Sequence, residues 1–126
     1  MAAGGQVLEA PFDLPEARVS IAADPTGAMF GVIGNDAAVG SWLSDEPGSV
    51  CWVELMSRDP AAAEVFYAAV FDWKAETQET HGAYYTTFLL DGDPVAGMML
   101  MPGVVPAEAP SYWGAYFAVA RPSTGA

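Results

Sequence analysis

One carboxylate interrupts an apolar run: Glu54 in CWVELM, residues 51–56. The run has the composition of a β-strand, and a carboxylate within an apolar strand costs free energy unless a partner receives it. Strand alternation puts Trp52, Glu54 and Met56 on one face and Cys51, Val53 and Leu55 on the other. The second face is aliphatic or thiol and suits packing under a helix, so Glu54 is expected on the opposite, open face. There it is a candidate general base, or an anchor for a cationic or hydroxyl-bearing ligand. The other reading pairs it with a backbone amide, with Tyr116 or with water at an open rim.

Other constellations fail. The single histidine, His81, precedes a glycine at a turn, where an exposed side chain is expected. The single cysteine excludes an intramolecular disulfide and a thiolate metal cluster, and Cys51 is expected to be a buried, inert thiol. Ser20 and Ser57 have no histidine in pattern and no nucleophile elbow. The chain has 13 glycines, but none forms a dinucleotide fingerprint or a Walker-type loop. Asp91 and Asp93 lack the rest of a calcium loop, and Gly92 and Pro94 around them account for a turn.

The elements that must position these groups follow from turn punctuation. Residues 6–14 read as a strand interrupted at Pro11, and 18–23 as a second strand. Asp24-Pro25-Thr26-Gly27 is a turn, and residues 28–33 leave it as the other arm of a hairpin. Residues 35–49 read as a linker, with Trp42 and Leu43 able to pack down. After the strand at 50–56, Asp59 is the N-cap and Pro60 the first position of a helix running to Trp73. The expected buried stripe is Ala62, Val65, Phe66, Ala69 and Val70, and Lys74 near the far end suits the helix dipole. Strands follow at 74–80, 84–90 and 95–101, then a Pro-rich loop at 102–110 and a last strand at 112–120.

Composition bounds the rest. The chain has 126 residues, the size of one domain, and is 52% hydrophobic. No apolar run is long enough to span a bilayer, and the first residues lack the pattern of a signal peptide, so a cytoplasmic location is the default expectation. The net charge of −12, from 16 acidic and 4 basic residues, repels phosphate backbones and argues against nucleic-acid binding.

Repetition gives the architecture. SVCWVELMSRDP at 49–60 aligns without gaps on SYWGAYFAVARP at 111–122, and DPTGAMFGVIG at 24–34 is similar to DGDPVAGMMLMPG at 91–103. The chain therefore reads as a complete βαβββ module over residues 50–103, preceded by the βββ remainder of a first module over 1–34 and the linker at 35–49. Residues 104–126 supply a loop and the opening strand of a further module, all within one structural domain.

That order, with GGQVLEAPFDLPEARVSIAADPTGAMFGVI, EPGSVCWVELMSRDPAAAEVFYAAVFDW and DGDPVAGM, resembles the vicinal oxygen chelate superfamily, which includes glyoxalase I, bleomycin-resistance proteins and extradiol dioxygenases. The nearer likeness is to a bacterial branch with tandem glyoxalase-like domains. The resemblance implies an α+β fold: glyoxalase-like βαβββ modules forming a curved mixed-sheet cup, here permuted or incomplete in order, with one main helix. The last strand fills the missing slot of the first module. One helix over eight strands leaves a bare sheet face, so a homodimer is expected to cover it, with strand exchange as one way to build it.

In metal-dependent members the resemblance implies four ligands, usually His, Gln or Glu, on the cup face. Carried over, these places fall on Trp52 (with Glu54 one step along), near Met98 or Gly97, near Gly114 and near Gly31. Apart from Glu54 these are not donors for a divalent transition metal, so no metal and no cofactor is expected. The implied site is an apolar cup lined by Trp52, Glu54, Met98, Tyr116, Met29, Gly31 and Gly114, holding a small molecule without chemistry. Trp52 stacks and Glu54 neutralises charge in that reading. The alternative is a metal-dependent lyase, isomerase or dioxygenase with a site completed across a dimer.

Overall fold

The computed structural model of the chain describes residues 4–15, 17–34 and 46–120. Most of the linker, with Trp42 and Leu43, lies outside the described residues. The elements are β1 (Gln6–Leu14), β2 (Ala17–Ala23), β3 (Met29–Gly34), β4 (Val50–Ser57), α1 (Pro60–Phe71), β5 (Lys74–Thr80), β6 (Ala83–Leu90), β7 (Asp93–Leu100) and β8 (Tyr112–Phe117). They form the expected α+β architecture: a three-stranded sheet, β1-β2-β3, and a five-stranded sheet, β5-β6-β7-β4-β8, with one helix. β4 runs parallel to β7 and antiparallel to β8, and β3 lies alongside β8. The last strand thus pairs with β4 on one side and meets β3 of the N-terminal sheet on the other.

Local chemistry explains the elements. Pro11 falls within the register break of β1 between Glu9 and Phe12, where an edge strand tolerates a missing N–H donor. His81 and Gly82, and Asp91 and Gly92, all have positive φ, the geometry of tight hairpin turns. Asp59 caps α1 by accepting from the Ala62 N–H, and Pro60 follows at the position where its missing donor costs nothing.

The helix differs from expectation in two respects. It ends at Phe71, with Asp72 in the left-handed region as C-cap, so Lys74 opens β5 and is not in the last helical turn. The buried stripe is Ala63, Phe66 and Tyr67, with Val70 and Phe71 packed beside it, whereas Val65 is 68% exposed. The helix is rotated from the expected face because Tyr67 finds partners inside. Its hydroxyl donates to Asp24 Oδ2 at 2.8 Å and accepts from Trp113 Nε1 at 3.0 Å. Tyr67 also meets Phe66, Trp73 and Trp113 with ring centroids 4.9–5.5 Å apart, contacts worth about 0.5–1.5 kcal/mol each beyond area burial.

Asp24, 4% exposed, is more than a turn residue. Its Oδ1 accepts from the Thr26 N–H, the Thr26 hydroxyl and the Ala28 N–H, while Oδ2 takes Tyr67. One carboxylate therefore joins the β2–β3 hairpin to α1, and through Tyr67 to β8. Phe30 of β3 packs on Phe66, Tyr67 and Phe71, so α1 covers part of both sheets. Cys51 is exposed, contrary to expectation. Cys51 sits in the register irregularity of the β4–β8 pair between Val50 and Trp52, where the regular alternation of faces breaks down.

Candidate functional site

On the face of the five-stranded sheet away from α1, the register aligns Thr87 of β6, Gly97 of β7, Glu54 of β4 and Gly114 of β8 in one row. Trp52 and Tyr116 form the adjoining pair on β4 and β8. Glu54 is thus flanked on both sides by glycines, of which Gly97 is covered by Tyr85 and Gly114 has only backbone near it.

Two phenols take that carboxylate. Tyr116 donates to Oε1 at 2.7 Å, and Tyr85 donates to Oε2 at 2.6 Å. Trp52 Nε1 in turn donates to the Tyr85 hydroxyl at 2.9 Å. The lengths are those of charge-assisted bonds to an ionised carboxylate. Glu54 is 8% exposed and Tyr116 46%, so the cluster is rooted in the sheet and open at the β8 side.

Tyr85 reaches Glu54 only because residue 97 is glycine. β6 and β4 are separated by β7, so their axes lie about 10 Å apart. The Tyr85 ring must cross β7 flat against its backbone. A Cβ on Gly97 would fall inside the Tyr85 hydroxyl oxygen, 2.6 Å from Cζ and 3.0 Å from Trp52 Nε1. Glycine within a strand marks such an approach.

The phenols titrate high. Burial, and then the hydrogen bond to Glu54, push Tyr85 up to about 12 against the opposing effect of the Trp52 N–H. Tyr116 is also raised, first by its hydrogen bond to Glu54. Burial, and then Asp24, raise Tyr67. The same relay occurs on both sides of the sheet. Trp113 donates to Tyr67 and Tyr67 to Asp24 under the helix, while Trp52 donates to Tyr85 and Tyr85 to Glu54 on the open face. The first is sealed into the core, and the second has an exposed neighbour.

Of the residues singled out in the sequence, Trp52, Glu54, Gly114 and Tyr116 converge here. Met98 does not. It pairs with Leu55, is 1% exposed and belongs to the core under α1; Gly97 faces the open side instead. A one-residue step in strand register reverses the face. Met29, 60% exposed, and Gly31 alternate with Phe30, which packs on the helix. They therefore lie on the open side, but on the neighbouring three-stranded sheet and outside the hydrogen-bonded cluster. His81 stands at its hairpin tip. Tyr85, the second phenol, was not anticipated; Gly97 opposite an aromatic strand was the available signal.

A cleft of about 620 Å³ lies elsewhere, between the first turn of α1 and the β5–β6–β7 strands, lined by Glu64, Tyr84, Thr86, Met98 and Met101 among others. Its inner hydroxyls, Thr77 and Thr86, hydrogen-bond to each other at 2.7 Å. The converging polar groups are on the open face, and the candidate site is placed there.

The chain aligns with known proteins over most of its length. It is 36% identical over 120 residues to "Putative glyoxylase CFP32" of Mycobacterium bovis, covering 92% of this chain and 44% of that protein. It is 36% identical over 118 residues to the anthracycline biosynthesis protein DnrV of Streptomyces peucetius, and 34% to DauV of Streptomyces sp. strain C5, covering 93% of this chain and 42% of each. The chain belongs to the vicinal oxygen chelate superfamily. It spans less than half the length of the curated relatives it matches, and no family model matches it.

Many members of that superfamily hold a divalent metal, and the residues here do not fit one. The corresponding places carry Trp52, with Glu54 one step along and both of its oxygens engaged by phenols, then Met98 or Gly97, Gly114 and Gly31. Among the described residues no three His, Cys, Asp or Glu side chains converge as a metal site would require. Nor, among the described residues, is any helix long and apolar enough to cross a membrane.

Proposed function

We propose that this chain is a metal-independent small-molecule-binding module of the glyoxalase/bleomycin-resistance type, its ligand held against the open face. The carrying observation is the Trp52–Tyr85–Glu54–Tyr116 cluster. A polar anchor is built into an apolar sheet face, flanked by glycines and left open beside the half-exposed Tyr116. Apolar walls with a few fixed polar groups are the usual make-up of a small-molecule site. The geometry favours binding over catalysis by Glu54. Both Glu54 oxygens already accept from phenols, which fixes the carboxylate in place as an anchor and leaves each oxygen one further lone-pair position for a ligand hydrogen.

The names of the relatives, "Putative glyoxylase CFP32" and proteins of anthracycline biosynthesis, support a small organic molecule as the ligand class, and the Trp52, Tyr85 and Tyr116 rings favour one with an aromatic body. A metal-dependent reaction on this chain would require donors from a second copy or from another segment, and a homodimer is the proposed assembly in which those could arise.

A thermal-shift screen with small aromatic compounds tests binding, followed by amide NMR mapping on isotope-labelled full chain. A ligand at 100 times its dissociation constant stabilises by about 2.7 kcal/mol. The expected result is a stabilising compound whose shifts centre on Gly97, Gly114 and Trp52. Shifts centred on Met101 and Ala61 would relocate the site to the cleft beside α1, and a stoichiometric transition metal in untagged protein would replace the proposal with the metal-dependent one.

A further inference from the structure

The hydrogens of the cluster all point inward. Trp52 Nε1–H is engaged by Tyr85, Tyr85 O–H by Glu54 Oε2, and Tyr116 O–H by Glu54 Oε1. Indole and phenol have one such hydrogen each, so these three groups have no donor left for a ligand. Acceptor capacity remains. Each carboxylate oxygen has a second lone-pair position, and the half-exposed Tyr116 oxygen keeps its own. The backbone of β4 is paired on both sides, with β7 and β8. Gly97 and Gly114 add no side chain. Thr87, in line beyond Gly97, has a hydroxyl that can rotate into either role.

No described cation reverses this polarity. Lys74 lies on β5, three strands from β4 and so about 14 Å away laterally, beside Glu76. Arg18 pairs with Asp13 at 3.3 Å. The Arg58 guanidinium is engaged by the carbonyls of Pro106 and Ala109.

Resting on the binding role proposed above, we infer that the site selects ligands by their hydrogen-bond donors. It takes an aromatic body bearing a protonated amine or neighbouring hydroxyls, and it turns away carboxylates, phosphates and enolates. An acceptor oxygen brought to Glu54 meets the carboxylate's negative charge and loses its water there; the nearest phenol outside the cluster, the half-exposed Tyr112 on the same face of β8, can offer a hydrogen but no positive charge. An ammonium there makes charge-assisted bonds to the free lone pairs of Glu54 and to the Tyr116 oxygen. This polarity is the reverse of that of a metal centre that chelates substrate oxygens, and the net charge of −12 acts in the same direction at long range.

Three probes share one indole ring and differ in the group on its side chain: tryptamine, tryptophol and indole-3-acetate. Each is titrated into the isotope-labelled full chain, reading the Trp52 indole N–H and the Gly97 and Gly114 amides. The expected order is tryptamine, then tryptophol, then indole-3-acetate, with tryptamine at least about tenfold tighter than the acid. Glu54→Gln should erase most of that difference. Tyr116→Phe alters a half-exposed side chain and so preserves the fold; it removes one acceptor while freeing Oε1, so the preference for tryptamine over the acid should persist. Equal binding of all three probes, or tighter binding of the acid at these resonances, would overturn donor selection while leaving the binding role intact. If no probe moves these resonances, both the selectivity and the binding role fall for aromatic ligands.

Discussion

Replacing Gly97 with alanine should dislodge a residue on the next strand. The added methyl would occupy the space of the Tyr85 hydroxyl and approach Trp52 Nε1 to 3.0 Å. The backbone of β7 is held between β4 and β6, so the tyrosine must leave. Its departure removes a charge-assisted bond to Glu54, worth about 1.5–3 kcal/mol, and a neutral bond from Trp52, worth about 0.5–1.5 kcal/mol. Alanine recovers about 0.5–1 kcal/mol of backbone entropy within a strand. The net expectation is a loss of about 2–3 kcal/mol, a large but survivable share of a domain's stability. Urea unfolding followed by circular dichroism measures it as a lower midpoint at unchanged slope. Alkaline absorbance titration gives the site-specific signature: one phenol should fall from about 12 towards the ordinary value of about 10. In a Tyr85→Ala background the same substitution should cost little or be mildly stabilising, because nothing is left to displace. Wild-type stability and an unchanged phenol titration in Gly97→Ala would refute the proposed path of Tyr85 across β7.

Tyr67→Phe removes the hydroxyl joining Asp24 to Trp113 and should cost about 1.5–3 kcal/mol by urea unfolding, although Asp24 keeps three partners in its own turn. Stability should fall as pH rises from about 10 to 12, because the folded chain holds the Tyr85 proton where the unfolded chain has released it. The contribution is fully present below pH 10, so Tyr85→Phe should flatten that limb of the stability–pH curve relative to wild type. Arg58→Lys loses the forked contact with the Pro106 and Ala109 carbonyls, and limited proteolysis should then cut the 102–110 loop faster at little cost in global stability.

The parts of this fold written in local chemistry were legible in the sequence. The Asp24–Gly27 turn, the Asp59–Pro60 helix start and the order of the strands all depend on residues adjacent in the chain, although β7 begins at Asp93, inside the expected turn, and β8 ends at Phe117, short of the expected 120. So did the two faces of β4, because alternation within one strand needs no partner. The misplacements arose where a distant partner decides. The helix PAAAEVFYAAVF is apolar nearly all round, so its periodicity fixes a buried face only weakly, and Asp24, 43 residues from Tyr67 in sequence, settles it. Met98 and Gly97 exchange faces with a single step of register against β4. Tyr84 and Tyr85 are adjacent and alike, and only pairing of Thr87 with Gly97 selects Tyr85 for the open face. Cys51 depended on the register irregularity between Val50 and Trp52, which only pairing with β8 reveals.

The central claim is that Glu54 is held by two phenols in place of a metal ion. A crystal structure of the untagged chain, grown with zinc, nickel and manganese salts and measured at their absorption edges, tests it most directly. The account predicts phenol oxygens at hydrogen-bond distance from both Glu54 oxygens, as in the present 2.6 Å and 2.7 Å contacts, and no anomalous peak beside them. An anomalous peak at about 2.0–2.2 Å from Glu54, with Tyr85 or Tyr116 swung aside, would contradict it.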